Sequence, residues 1–369
     1  MIKWLYKNAL KPVLFKFDPE LVHDVFVDLG EFCGKSGIGR ALIFLMFGYK
    51  GRSFTKTVDG INYHSPVSLA AGFDYNGRLT QILSSMAFGG VEIGSVTARP
   101  CEGNKKPRLR RLIKSNGLVV NKGLKNEGVD KIINRLKSLK RRKNSVLGIS
   151  IAKTNDALNT TLENGIEDYG YSFKRLNEEG VGDFYTINIS CPNVFGGENF
   201  AEPHRLRLLM EKLQTIPCQK PVYVKMPINL PWEEFNTLLE VLLDFNVHGL
   251  VIGNLNKKYE DAEFQDEVPR QYSGGLSGKP CRNLSTDLIR QTKEKYQNQL
   301  TIIGCGGILS AEDAKEKLDA GAELLQLITG MIFEGPHLMK DICEMYQKNP
   351  QYLKTKTPQK ISEKVVKVI

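Results

Sequence analysis

The apolar residues of this chain form short β-rich runs that alternate with stretches of helical periodicity. Beyond Pro66 we count eight such runs, and the segments between them carry apolar side chains at three- and four-residue spacing. The runs are 67–71, 90–96, 146–152, 184–190, 221–226, 249–254, 300–304 and 324–329, and the helical stretches include 168–179, 205–213, 232–243, 285–296 and 311–320. Eight strand–helix units predict an α/β fold, a closed (β/α)8 TIM barrel, with a doubly wound open sheet as the main alternative.

The first 50 residues follow a different pattern. Apolar side chains are interleaved with lysines up to residue 16, and Asp18-Pro19-Glu20 is a typical helix start. We predict two short amphipathic helices, which either pack on the main domain or dip an apolar face into a lipid interface. The apolar run 41–47 is much shorter than the roughly 20 residues of a membrane span, and no small-residue cleavage site follows the basic start. We therefore expect neither a spanning anchor nor a signal peptide.

The length and composition of the chain limit the number of domains that it can form. With 369 residues, of which 41% are hydrophobic, the chain can build one large core with a small appendage. We expect a helical extension over 1–50, a barrel domain over 51–349 and a basic, solvated tail over 350–369.

Cysteine and histidine usage argues against disulfides and metals. The seven cysteines form no Cys-x-x-Cys pair and are odd in number, and the five histidines have no ligand spacing. We therefore expect free thiols in a reducing cytoplasm and no metal site. The formal charge of +10 favours an anionic partner: nucleic acid, anionic lipid or a phosphorylated cofactor.

In a (β/α)8 barrel the active site lies at the carboxyl ends of the strands. Residues suited to binding and catalysis fall at these positions. They are Gly72 and Asp74 after the first strand, Ser95 after the second, Asn188 and Cys191 around the fourth, Lys225 at the fifth, Asn254 at the sixth, Gly306-Gly307 at the seventh and Thr329-Gly330 at the eighth. The glycines after the last two strands predict a phosphate site, because backbone amides approach an anion only where no side chain intervenes. A plain strand-to-helix turn is the alternative.

Lys225 lies inside the apolar run 223–226, where a lysine is costly unless its ammonium faces an anion. Neither a dinucleotide-binding fingerprint nor a P-loop is present, so a nicotinamide fold and an NTPase have no support. If the cofactor is FMN, the ammonium would stabilise the negatively charged reduced ring. The alternative is a lysine that snorkels from the barrel mouth without a cofactor.

The octapeptide 186–193 places Cys191 at a strand end between the carboxamides of Asn188 and Asn193. A free cysteine has a pKa of about 8.5, so a nearby cation brings the thiol into the range of a general base at cellular pH. An inert buried thiol is the other interpretation, and we favour it for Cys218 and Cys305. For Cys191 we favour proton transfer.

With these motifs, the whole chain resembles the dihydroorotate dehydrogenases. The resemblance rests on LAAGFD (69–74), EIGSVT (92–97), GN (103–104), KPRL (106–109), SGGLSG (273–278) and IGCGG (303–307). The extension with Asp18-Pro19-Glu20 and His23 is similar to that of the membrane-associated, quinone-using class 2 branch. The resemblance implies a barrel that holds FMN non-covalently, oxidises dihydroorotate to orotate in pyrimidine synthesis, and passes electrons to a quinone. It also implies a cytoplasmic protein that is peripheral on the inner face of the cell membrane.

The resemblance also implies roles for individual residues. Those expected to contact FMN are Ala71, Gly72, Ser95, Ser150, Asn188, Lys225, Gly278, Gly307 and Thr329, and those expected to hold the pyrimidine are Asn188, Asn193 and Asn254. The base that faces the substrate would be Cys191, where class 2 members usually carry serine and the soluble class 1 enzymes carry cysteine. Such a base takes a proton from one carbon while hydride leaves its neighbour for the flavin.

Two residues of the expected substrate-binding site differ from the family pattern. Tyr75 stands where class 2 enzymes place a lysine that meets the substrate carboxylate, and Val120 stands where the family uses a substrate-binding asparagine. Lys122 follows closely and is a candidate for the missing charge. Because an unpaired buried carboxylate costs several kcal/mol, a second hypothesis keeps the flavin and Cys191 but changes the substrate. The substrate would then be an uncarboxylated pyrimidine or another activated alkene.

A third hypothesis, from a different class, is RNA modification by a tRNA-dihydrouridine synthase, since those flavin barrels also use a cysteine. The basic clusters at 105–111 and 137–143 lack the interleaved aromatics of a single-strand binding surface, and little chain follows the eighth unit. We therefore expect a small-molecule pyrimidine substrate and no nucleic acid. For the electron acceptor, the N-terminal extension favours a quinone. Fumarate is the alternative, because a cysteine at position 191 resembles the soluble class 1 enzymes.

Overall fold

The computed structural model describes residues 2–51, 54–140, 145–190, 200–262, 264–269, 271–272 and 274–353. The strands are β1 (Lys56–Val58), β2 (Ile61–Tyr63), β3 (Val67–Leu69), β4 (Gly90–Val96), β5 (Leu109–Leu112), β6 (Gly117–Val120), β7 (Val146–Ile151), β8 (Phe184–Asn188), β9 (Val222–Met226), β10 (Gly249–Ile252), β11 (Gly275–Gly278), β12 (Thr301–Cys305) and β13 (Leu324–Leu327). The helices are α1 (Ile2–Leu5), α2 (Lys11–Leu14), α3 (Pro19–Lys35), α4 (Gly37–Phe47), α5 (Val129–Ser138), α6 (Leu162–Glu178), α7 (Pro203–Gln214), α8 (Trp232–Leu242), α9 (Arg282–Tyr296), α10 (Ala311–Asp319), α11 (Thr329–Glu334) and α12 (Leu338–Gln347), with a π-helical turn over Tyr6–Leu10.

Eight of these strands close into a parallel barrel in the order β3-β4-β7-β8-β9-β10-β12-β13, and β13 pairs back with β3. Strands β4, β8, β9, β10 and β13 are buried along their whole length. They read as continuous apolar runs because one face packs inside the barrel and the other against helices. All eight predicted runs are barrel strands. The predicted TIM barrel is confirmed, and closure excludes the open sheet.

A small hairpin covers the amino ends of the barrel strands. Strands β1 and β2 pair antiparallel, and Val58 and Tyr63 pack with residues from the starts of the barrel strands, such as Val146 and Phe184. The Tyr223 hydroxyl donates to a carboxylate oxygen of Asp59 in the hairpin turn, at 2.7 Å. The bottom of the barrel is therefore closed, and the opposite end is left for a site.

An antiparallel sheet of β5, β6 and β11 adds to the carboxyl-terminal face of the barrel. The eight predicted apolar runs do not include these strands. They are four residues long, and β5 carries Arg110 and Arg111 at its centre. Such short, charged strands form because they pair with one another across long stretches of chain.

The N-terminal residues 2–47 form consecutive helical segments, with breaks at 15–18 and at Ser36. Asp18 begins α3 as predicted, since its Oδ1 accepts the N–H groups of Glu20 and Leu21 at 2.9 Å. We predicted two helices here, but a further helix, α4, covers the apolar run 41–47. Ser36 supplies its N-cap by accepting the N–H of Gly39. Across the described part of the chain, no helix is both long enough and apolar enough to cross a membrane.

Candidate functional site

A cavity of about 880 Å³ opens at the carboxyl ends of the barrel strands and continues beneath the N-terminal helices. Most of the predicted site residues line it: Ala71, Gly72, Ser95, Asn188, Lys225, Asn254, Gly278, Gly307 and Thr329. Cys191 and Asn193 lie outside the described residues, so the identity of the base and the role of Asn193 stay predictions. Asp74 does not line the cavity. Its carboxylate accepts the backbone N–H groups of Arg78 and Leu79 and so shapes the loop after β3.

A chain of side-chain hydrogen bonds connects four barrel strands or their ends beside this cavity. Ser150 and Ser95 share a hydrogen bond of 2.8 Å between their hydroxyls, and the Asn188 amide donates to Ser95 Oγ at 2.9 Å. The Asn254 amide donates to Ser190 Oγ at 2.7 Å and to Asn188 Oδ1 at 3.2 Å. Ser150 therefore acts through Ser95 rather than by lining the cavity. The two carboxamides are held in fixed orientations that suit a ligand with amide-like edges.

The Lys225 side chain is 5% exposed and reaches the cavity from β9. Its ammonium makes no hydrogen bond or ion pair with any residue in the described ranges. Burial raises the pKa of Glu92 on β4, and the nearby Lys225 opposes that shift, so this carboxyl is a poor counter-ion. A buried ammonium without a partner is costly, and an electron-rich ligand in the cavity would relieve that cost.

Glycines with positive φ form a side-chain-free cradle at the ends of β11 and β12. Gly278, Gly306 and Gly307 have φ of 88°, 99° and 74°. A Cβ on Gly307 would lie 2.5 Å from the Arg282 Cα, and one on Gly278 would lie 2.7 Å from Thr329 Cγ2. Only glycine fits here, and the exposed backbone amides suit a phosphate group.

A cluster of buried charges lies beside the cavity, between α3 and the loops after β4 and β6. Glu20 pairs with Arg108 at 2.5 Å and with Lys122 at 2.8 Å. Burial acts to raise the pKa of Glu20, but hydrogen bonds from these two cations lower it to about 2. Burial lowers the pKa of Lys122 against the opposing effect of Glu20. From the sequence we saw Glu20 only as part of a helix start, because no local pattern connects it to partners on distant loops.

The two positions that depart from the family pattern both line the cavity. Tyr75 is packed between the His23 ring, at 5.3 Å between centroids, and the Lys122 ammonium, at 5.5 Å from the Tyr75 ring centroid. Burial raises the pKa of its hydroxyl. Val120 lies on β6, opposite Leu109 and Gly275.

The part of the cavity beneath the helices is an apolar vestibule. It is lined by Leu5, Ala9, Leu10, Val13, Leu14, Val22, Phe26, Leu29, Ile43, Met46 and Phe47. Arg111 lies at its wall, where it donates to the Phe17 carbonyl at 2.7 Å and stands over the Phe15 ring. His23 Nε2 lies 2.8 Å from the Phe73 carbonyl oxygen, which links the vestibule to the loop after β3.

Together, the closed parallel barrel, the glycine cradle, the buried Lys225 and the carboxamide network are typical of a (β/α)8-barrel enzyme whose site lies at the carboxyl-terminal face. The family model for dihydroorotate dehydrogenase matches residues 53–349, and the chain belongs to this family. The family is flavin-dependent.

Curated relatives and solved structures agree with this assignment. A dihydroorotate dehydrogenase (quinone) of Christiangramia forsetii is 38% identical over 343 residues, covering 92% of this chain and 97% of the relative. One from Psychrobacter is 35% identical over 346 residues, covering 91% and 95%. The ligand-free structure of the Eimeria tenella enzyme superimposes with a TM-score of 0.78 at 26% identity, covering 93% and 98% of the two chains. The predicted class 2 resemblance is confirmed.

Proposed function

We propose that this protein oxidises dihydroorotate to orotate in de novo pyrimidine biosynthesis, with FMN as its cofactor and a quinone as its electron acceptor. The observation that carries the proposal is the single cavity that joins the phosphate cradle, Lys225 and the carboxamide network to an apolar vestibule. A flavin mononucleotide and a pyrimidine would occupy the polar end. A quinone is apolar enough to enter through the vestibule.

The residues present fit FMN. The amides around Gly278 and Gly307 would hold its phosphate, with the Thr329 hydroxyl beside them. Ala71, Gly72, Ser95 and Asn188 would line the ring, with Ser150 holding Ser95 in place. Lys225 would place its ammonium against the ring, where it finds the electron-rich partner that the described residues do not provide. When bound, FMN accepts the hydride from the substrate.

The protein's own part in the reaction is to orient the ring and to move one proton. Asn188 and Asn254 would bind the amide edges of the pyrimidine together with Asn193. The Cys191 thiolate would take the proton from the carbon next to the ring carbonyl, while hydride leaves the neighbouring carbon that bears the carboxylate. Both carbons lose one hydrogen, and the carbon–carbon double bond of orotate forms.

Anaerobic mixing of the purified holoenzyme with dihydroorotate tests this function. We expect loss of the oxidised-flavin absorbance and formation of one orotate per flavin. The substitution at Tyr75 motivates a second candidate, an uncarboxylated pyrimidine as substrate. Bleaching by dihydrouracil but not by dihydroorotate would favour that candidate and contradict our proposal.

We also propose that the N-terminal helices lie on a membrane surface, on the inner face of the cell membrane. Large apolar side chains project from them into solvent, and Trp4, Phe32, Ile38 and Leu45 are 66%, 74%, 76% and 63% exposed. Lys16 lies exposed in the same segment and suits anionic lipid, whereas Lys3, Lys7 and Lys11 bind Asp341, Glu334 and the Phe333 carbonyl. This arrangement would give a membrane-dissolved quinone direct access to the vestibule.

A further inference from the structure

A fully buried lysine stands behind the glycine cradle and does not line the cavity. Lys317 lies on α10, and its side chain has no exposed surface. Its ammonium donates to the hydroxyl groups of Ser285 and Thr286 on α9, both at 3.0 Å. These partners are neutral, so the ammonium is satisfied in its hydrogen bonds but not in its charge.

The groups around this ammonium do not neutralise it. Asp313 lies one turn earlier on α10, but its carboxylate pairs with Arg282 at 2.6 Å. Three further titratable groups lie near the ammonium: the thiols of Cys281 and Cys305 and the exposed carboxylate of Glu316. Burial raises the pKa of both thiols, so they stay neutral. Among the described residues, no carboxylate lies within 4 Å of the Lys317 ammonium, and its positive charge is left unbalanced.

Only a thin layer of protein separates this charge from the glycine cradle. A Cβ on Gly306 would lie 3.6 Å from Ser285 Cβ, and one on Gly304 would lie 3.5 Å from Lys317 Cδ. The Ser285 hydroxyl, which accepts from Lys317, donates to the carbonyl of Cys305, the residue before Gly306. This layer is buried, and in buried protein the attraction between charges extends farther than in water.

We propose that Lys317 attracts the phosphate of FMN through the wall of the glycine cradle, without touching it. This inference rests on FMN as the cofactor of the proposed function. The cradle amides fix the position of a phosphate by hydrogen bonds, whereas Lys317 offsets its negative charge. The phosphate in turn relieves the cost of burying an ammonium without an anion.

The hydrogen bonds at Lys317 show that the fold itself does not need the charge. The ammonium is the donor in both bonds, and the two hydroxyl groups have backbone acceptors of their own, including the carbonyls of Ile252 and Arg282. Lys317→Met therefore removes a buried charge and leaves no donor unpaired. An apolar residue would serve packing at lower cost, so the lysine points to a charged ligand.

The experiment compares Lys317→Met with Lys315→Met in the FMN-loaded enzyme. Lys315 stands on the same helix, but its side chain is 44% exposed and pairs with Asp319. Each holoenzyme is equilibrated with excess riboflavin, which lacks the phosphate, and the two bound flavins are quantified. We expect Lys317→Met to lower the preference for FMN over riboflavin by about tenfold to 100-fold, because an attraction between charges is lost. Lys315→Met should keep the parent preference.

The pH dependence of this preference is a second readout, which a packing role would not produce. Burial lowers the pKa of Lys317 to about 8. Because a lysine loses its charge as the pH rises past its pKa, the parent preference for FMN should fall above about pH 8, where the phosphate stays a dianion. The preference of Lys317→Met should be constant over the same range.

An unchanged preference in Lys317→Met, or a parent preference that does not fall above about pH 8, would overturn the role of Lys317. If Lys317→Met does not fold, Lys317→Gln carries the test, because its amide can still donate to the two hydroxyl groups. A parent that binds riboflavin as well as FMN contradicts the proposed cofactor itself. A parent that prefers FMN, together with a Lys317→Met variant that prefers it equally, contradicts only this inference.

Discussion

At the scale of single residues, the cavity is marked by a buried charge that has no partner among the described residues. Lys225 is the clearest case, since its buried ammonium is not paired within the described residues. A group of this kind is costly to fold, so its presence points to a ligand that pays part of that cost. The glycine cradle likewise points to a phosphate ligand, because its backbone amides are not covered by side chains.

Replacement of Lys225 by methionine tests the electrostatic role of its ammonium. We expect slower flavin reduction by dihydroorotate, on the order of 100-fold, because the charge on the reduced ring loses its stabilising partner. The reduction potential of the bound flavin should fall as well. Anaerobic stopped-flow absorbance and a redox titration measure the two effects. Lys212→Met, at an exposed ion pair on α7, is the control and should change neither quantity.

Cys191 is predicted to be the base, and two substitutions separate this role from packing. Cys191→Ala should lower the rate of flavin reduction by about 100-fold to 10,000-fold, since the proton then has no positioned acceptor. Cys191→Ser should retain part of the rate. Orotate binding should be kept in both variants. If Cys191→Ala reduced its flavin as fast as the parent, another group would have to take the proton.

At the scale of elements, docking of α3 on the barrel face uses a buried ion cluster in addition to apolar contacts. Glu20 stands in the first turn of α3, where Asp18 caps the helix, and its partners come from loops of the barrel. The carboxyl-terminal end of α3 also packs closely, since a Cβ on Gly34 would lie 3.2 Å from the Gln81 side chain. One carboxylate therefore links the vestibule helices to the active-site loops.

This arrangement predicts a pH-dependent stability that Glu20→Gln should remove. The pKa of Glu20 falls from 4.5 to about 2 on folding, so its contribution is full above the unfolded value and is lost as pH falls towards the folded value. We expect the variant to be about 3 kcal/mol less stable than the parent at pH 7, with the difference shrinking as the pH falls from about 5 to about 2. Urea unfolding at several pH values measures this.

Asp28→Asn on the same helix is a matched control. Asp28 pairs with Arg78 at 2.8 Å, but its side chain is 68% exposed. We expect a loss of no more than about 1 kcal/mol, because solvent screens an exposed pair. A comparable loss in both variants would show that helix charge, rather than the buried cluster, controls docking.

At the scale of the whole molecule, the barrel and the helices together form one path from a polar cofactor site to an exposed apolar surface. The barrel provides the glycine cradle and the carboxamides, and the helices provide the vestibule walls. The proposed transfer of electrons to quinone depends on this continuity.

A double substitution, Phe32→Ser with Ile38→Ser, tests the proposed membrane surface. Both side chains are at least 74% exposed, so the fold should be unaffected. We expect binding to anionic vesicles to weaken by at least about tenfold, because two large apolar groups no longer enter the lipid. Dihydroorotate oxidation with a soluble dye as acceptor should keep its rate. Leu158→Ser, in the loop between β7 and α6 and 67% exposed, is the control. Equal vesicle binding by all variants would contradict the proposed surface.

The sequence by itself determined the barrel and most of its ligand-facing positions. A parallel strand that is buried on both faces is a largely continuous apolar run, so each barrel strand can be recognised from its local sequence. The active site of such a barrel lies at the strand ends, which is where Ser95, Asn188 and Lys225 are found. Only the tertiary structure decided that Glu20 meets Arg108 and Lys122, that β5, β6 and β11 pair, and that Tyr75 lies beneath the Lys122 ammonium. Those contacts join residues far apart in the chain. They depend on how whole elements dock, and no local periodicity encodes that.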